Sequence, residues 1–114
     1  MYMDKPKKYK VFISKDALLD IKSTKKYILD TFKYREYAEN YSKRIKKAIK
    51  ELVSFPTGFE ETGYVIEGLS IYFRPYSTYL IFFVVEDYTV TVIRVLKDRM
   101  YWQSIIKRMQ KINR

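Results

Sequence analysis

The chain has no cysteine and no histidine among its 114 residues, and only three glycines and three prolines. Without cysteine there can be neither a disulfide nor a thiolate zinc site, which fits a reducing, cytoplasmic setting. Without histidine the usual general base near neutral pH is missing, and with it His-paired nucleophiles and imidazole metal ligation. The glycine and proline count is too low for a low-complexity or disordered chain. No apolar run approaches the roughly 18 residues that would span a bilayer. The start, MYMDKPKKYK, is basic but carries no apolar segment of the kind a secretory signal needs. No metal or cofactor is expected, and no membrane partner.

What the chain does have is aromatic bulk and positive charge. Hydrophobic residues make up 47%, including twelve tyrosines and seven phenylalanines, enough to close a compact core. At this length one domain over residues 1–114 is the expectation, with a core at about 9–102 and a helical tail at about 99–112. Lysine and arginine outnumber aspartate and glutamate by 23 to 13, a net charge of +10. Such a surface draws in polyanions or an acidic protein partner.

Periodicity assigns the elements. Residues 9–13 (YKVFI) are β-branched and aromatic and read as a strand. Ser14 is placed to cap a helix, with Asp16 favourable in its first turn. Ala17, Ile21, Thr24, Ile28 and Phe32 then recur at helical spacing. After a short turn at Lys33, Tyr34 and Arg35, a second stripe follows through Ala38, Tyr41, Ile45, Ile49 and Leu52. Its other face carries Lys43, Arg44, Lys46, Lys47 and Lys50, the pattern of a solvated helix surface. Phe55, Pro56 and Gly58 end it, and the short link favours an antiparallel hairpin.

Three strand-like runs come next, at residues 71–74, 78–86 and 89–95. The middle one is apolar on both faces, with Tyr79, Ile81, Phe83 and Val85 opposed to Leu80, Phe82 and Val84, as in a central covered strand. In the last, Thr91, Ile93 and Val95 alternate with Val90, Val92 and Arg94. Glu60 and Glu61 read as loop. Beyond Asp98 the pattern is helical again through Trp102, Ile105, Ile106, Met109 and Ile112, with Lys107, Arg108, Lys111 and Arg114 among them. The expected fold is α+β: an N-terminal strand, an antiparallel helix hairpin, a three-stranded antiparallel meander and a C-terminal helix. The helices are expected to cover one sheet face, leaving the other partly open or covered by a partner.

In their order and spacing, Leu52-Val53-Ser54-Phe55-Pro56, Tyr79-Leu80-Ile81-Phe82-Phe83 and the closing run from Val90 to Arg99 resemble the RelE/ParE family of bacterial type II toxins. The resemblance implies a small growth-inhibiting toxin that forms an oligomer with a cognate antitoxin. Its target would be either DNA gyrase, as for ParE-like members, or the ribosome and its mRNA, as for RelE-like ribonucleases. Two departures favour the ParE-like side. Leu80 stands where RelE-like sequences often carry arginine after the strand tyrosine. Lys97 stands where a histidine often precedes the terminal arginine.

RNA cleavage would need a base for the 2′-hydroxyl, charge for the pentavalent phosphate and an acid for the leaving oxygen. Arg74, Arg94 and Arg99 could clamp the phosphate by bidentate contacts. Lys97 or Tyr101 could move protons, from ordinary pKa values near ~10. Arg94, Arg99 and Trp102 are candidate contacts to nucleic acid or another target, with Trp102 or Tyr101 able to stack on a base. Arg94 equally suits an ion-paired sheet residue, and Trp102 a core contact of the last helix. A basic nucleic-acid-binding domain without toxicity is the third function the composition allows.

Overall fold

The computed structural model describes residues 8–112. Residues 1–7 and 113–114, with Arg114 of the C-terminal stripe, lie outside them. The element order is β1 (Lys10–Ile13), α1 (Lys15–Phe32), α2 (Arg35–Lys50), β2 (Glu60–Ile66), β3 (Leu69–Tyr76), β4 (Tyr79–Glu86), β5 (Thr89–Lys97) and α3 (Trp102–Ile112). The strands form one sheet in the order β1-β5-β4-β3-β2. β1 runs parallel to β5 at its edge, and the other four make an antiparallel meander.

The expected fold class holds, with one strand more than the sequence suggested. The segment holding Glu60 and Glu61 is not a loop but the start of β2, paired to Phe73 and Tyr72 of β3. Its composition hid it. Two acids, a threonine and a glycine suit a strand with a neighbour on one side only, where charge and irregularity discourage a further strand from pairing. Gly63 sits in the left-handed region at φ +89° within a register shift, and the Thr62 hydroxyl accepts the Tyr64 amide at 3.0 Å. The β2–β3 turn at Glu67 (φ +50°) and Gly68 (φ +81°) has both residues left-handed, as a tight hairpin requires.

The helix hairpin forms as its stripes predict. Ser14 caps α1, its hydroxyl accepting the Ala17 amide at 3.1 Å, and left-handed Lys33 closes the helix by donating its amide to Leu29. Ala17 and Ile21 of α1 and Tyr41, Ile45 and Ile49 of α2 are buried against Ile81, Phe83, Val90, Val92 and Val95. Phe32, the last residue of the α1 stripe, is 52% exposed and lies outside the core.

The second sheet face is not left open. α3 lies across it, burying Ile106 completely and packing Trp102, Ile105 and Met109 around Ile71, Leu80, Phe82, Val84, Ile93 and Leu96. Gln110 donates to the Val65 carbonyl of β2, fixing the far end of the helix to the sheet edge. Both faces of β4 are therefore covered, as its sequence implied.

β5 departs from simple alternation. Phe82 pairs with Arg94 and Phe83 with Val92, leaving Ile93 as an extra bulged residue. Val95 thereby joins Val90 and Val92 on the helix-hairpin face, while Ile93 and Leu96 face α3. β1 pairs β5 only as far as Val92, so the edge beyond it needs other partners. α1 supplies them. The Ser14 hydroxyl donates to the Ile93 carbonyl, and the Asp20 carboxylate accepts the Val95 amide at 2.9 Å. Both oxygens of Asp20 also hold the Arg94 guanidinium at 2.7 Å.

Replacing Asp20 by alanine leaves a largely buried guanidinium and a strand amide without partners. The expected loss is about 3 kcal/mol of stability, read by urea denaturation; a loss below about 1 kcal/mol would show that the carboxylate is dispensable there. Ile106→Ala should cost about 3 kcal/mol through lost burial and a cavity under α3. An unchanged urea midpoint for that variant would mean that α3 is not docked on the sheet.

Candidate functional site

The residues singled out in the sequence fall in three places. Arg74 projects from β3 toward the end of α2. One guanidinium nitrogen donates to the Ala48 carbonyl at 2.6 Å, and the other pairs with Glu51 at 2.9 Å. Its flat face lies over the rings of Phe59 (5.4 Å) and Tyr76 (6.0 Å). Helix ends leave carbonyls without partners, and a cation placed there satisfies them. Arg74 thus fastens α2 to the sheet.

Arg94 is held in the same sense by Asp20, which raises its pKa above the already high arginine value through two direct hydrogen bonds. Trp102, at the start of α3, sits among aromatic neighbours: Phe82 at 5.2 Å, Tyr64 at 6.2 Å and Phe73 at 6.3 Å between ring centres. These contacts anchor α3 on the sheet.

The remaining three gather where β5 leaves the sheet. Lys97 closes the strand, and its ammonium lies 4.7 Å from the centre of the Tyr27 ring on α1. The turn is pinned by the Asp98 amide donating to the Thr78 carbonyl and the Met100 amide to that of Lys97. Arg99 is exposed with no ion pair among the described residues, and Tyr101 is 84% exposed. Met100 beside them is 46% exposed. A shallow recess bounded by Thr78, Lys97, Asp98 and Arg99 opens at this turn. The structure therefore brings Lys97 and Arg99 together at one recess and leaves Tyr101 exposed two residues further on. It puts Arg74, Arg94 and Trp102 into contacts that hold the fold.

Two clefts flank the Tyr27 side of α1, and the sequence reading singled out neither. One, of about 340 Å3, lies between α1 and the end of β5, bordered by Asp20, Thr24, Tyr27, Arg94, Lys97 and Met100. The other, of about 500 Å3, opens at the hairpin tip between α1, α2 and the β3–β4 turn. Its walls are largely aromatic: Phe32, Tyr37, Tyr41, Tyr76 and Tyr79. Tyr41 is 9% exposed, and its hydroxyl has no well-formed hydrogen bond. Burial pushes its pKa up to about 12, a rise that Thr24 only partly offsets. Tyr79 is also raised by burial. The available signal for this cleft was the aromatic density of the α1–α2 link, where Phe32, Tyr34 and Tyr37 fall within six residues.

Among the described residues no three Asp or Glu side chains gather as metal ligands, and no helix is long and apolar enough to cross a membrane. With this geometry in view, comparison with known proteins is informative. A solved structure described as the chromosomal ParDE TA system from P. aeruginosa superposes with a TM-score of 0.63 at 12% identity, covering 78% of this chain and 95% of that one. At that identity the likeness concerns the fold. No curated protein matches the sequence. The family model described as the ParE toxin of the type II toxin-antitoxin system, parDE, matches residues 11–102, from β1 through the first residue of α3. That span takes in all five strands and the helix hairpin, and the chain belongs to the ParE toxin family.

Proposed function

We propose that this protein is a growth-inhibiting toxin, neutralised by a cognate antitoxin, that acts on DNA gyrase by protein contact and not by cutting RNA. The observation that carries this reading is the division of labour among the basic residues. A phosphoryl-transfer site needs several charged groups converging on one phosphate. Arg74 and Arg94, two of the arginines in question, are held by Glu51 and Asp20. What remains exposed is the turn carrying Arg99, Met100 and Tyr101. Exposed arginine and tyrosine on a pinned turn are the residue types that dominate protein interfaces.

The antitoxin reading rests on the family and on charge. A chain at +10 favours an acidic partner, and a segment folding on binding suits such a surface. The poorly covered sheet face expected from sequence no longer supports it, because α3 occupies that face. A cytoplasmic location belongs to the same proposal, since gyrase and the ribosome are both there. The RelE-like alternative keeps one supporting feature, the closeness of Lys97, Arg99 and Tyr101 at one turn.

Pulse labelling minutes after inducing the protein alone separates the two targets. Thymidine incorporation is expected to fall before amino-acid incorporation, with a DNA-damage response. Early loss of protein synthesis, with mRNA cut on the ribosome, would transfer the function to translation. Arg99→Ala and Tyr101→Ala should each weaken inhibition of purified gyrase by about ten-fold or more without changing the urea midpoint. Full inhibition by both variants would remove this turn from the target contact.

A further inference from the structure

The hairpin-tip cleft has a composition of its own. Tyr37, Asn40, Tyr41 and Arg44 follow one another at helical spacing, so α2 turns a single face toward it. Of the nine residues lining it, five are aromatic, one is aliphatic (Ile28) and none is acidic. An aliphatic anchor would call for aliphatic walls; these walls suit a flat ring. The Asn40 amide and the Arg44 guanidinium border the same space, and so does Ser77 from the β3–β4 turn. Tyr41 is nine-tenths buried and forms the inner wall, with its hydroxyl enclosed by the protein.

The basic row begins where the cleft ends. Arg44 and Lys47 lie one helical turn apart, with Lys43 and Lys50 alongside; all four are exposed, and none makes an ion pair among the described residues. Neighbours at this spacing stand about 5–6 Å apart, close enough to meet successive phosphates. We propose that the cleft and this row bind single-stranded nucleic acid, with one unstacked base among the rings and the adjoining phosphates along Arg44 and Lys47. Stacking supplies the part of the affinity that charge alone cannot, and Asn40 is the polar residue beside the base edge. Duplex is disfavoured, since its bases are already stacked and paired. This activity is separate from the exposed turn at Arg99 and does not depend on which target the toxin inhibits.

Fluorescence anisotropy on the full chain tests it, with labelled oligothymidylate, oligouridylate and a duplex of matched length. Either single strand should bind more tightly than the duplex and weaken as salt is added, and the tighter of the two identifies DNA or RNA as the source. Tyr37→Leu should weaken binding by about ten-fold, the loss of one stacking partner. Arg44→Glu should weaken binding and flatten the salt dependence, whereas Lys107→Glu on α3 makes the same charge change with little effect. The proposal fails if duplex binds as tightly as single strand, if Lys107→Glu matches Arg44→Glu, or if a folded Tyr37→Leu binds unchanged. It also fails if no oligonucleotide binds and an acidic aromatic peptide does so in a Tyr37-dependent way, which would give the cleft to a protein partner.

Discussion

The carboxylate of Asp20 is the point on which the arrangement turns. β1 is only four residues long and leaves the second half of β5 without a strand neighbour on that side. An open edge there would expose unpaired backbone groups beside the core. Asp20 takes the place of a strand, accepting the Val95 amide and gripping Arg94 with both oxygens. Ser14, which caps α1, also reaches the Ile93 carbonyl. One helix thus closes the sheet edge and sets the angle of the hairpin above it. The bulge at Ile93 makes this possible by turning Arg94 off the Val90–Val92 face, where a guanidinium would have been buried in the hydrophobic core.

The same logic divides the charges. Glu51, Glu39 and Asp30 each pair with a nearby cation, as Asp20 does. These pairs fix Arg74 and Arg94 and tie α1 to α2 through Lys25 and Glu39. Exposed positive charge then remains on the outer face of α2, at Lys43, Arg44, Lys46, Lys47 and Lys50, and at the turn after β5, at Lys97 and Arg99. Those two surfaces lie on different elements, and the exposed aromatic residues sit with them: Tyr37 and Phe32 beside the first, Tyr101 on the second.

How far the sequence could be read depended on the range of the interactions involved. The stripes of α1 and α2 and the two-faced pattern of β4 express local periodicity, and each element lies where its pattern put it. β2 was not readable, because an edge strand with one neighbour tolerates Glu60, Glu61 and Gly63, which look like loop. The alternation of β5 failed past Val92, since a bulge adds a residue without a compositional mark. The covered second face was missed because the α3 stripe does not say which side of the sheet it meets. For the site, the cluster of Lys97, Arg99 and Tyr101 was visible because the three lie close in the chain. The engagement of Arg94 depends on a residue 74 positions away, and that of Arg74 on one 26 away at Ala48. The aromatic cleft is assembled from three separated segments, so no single stretch announced it.

Trp102 is the only tryptophan in the chain, and it stands at the root of α3 between Phe82, Phe73 and Tyr64. The protein therefore carries one intrinsic fluorophore, on the sheet face opposite the helix hairpin. Its emission follows the seating of the C-terminal helix, while the tyrosine-lined cleft lies on the other side of the sheet. Excitation at the red edge of the absorption band isolates that single indole from the twelve tyrosines. Detachment of the last helix and events at the hairpin tip can thus be told apart optically in the unmodified protein.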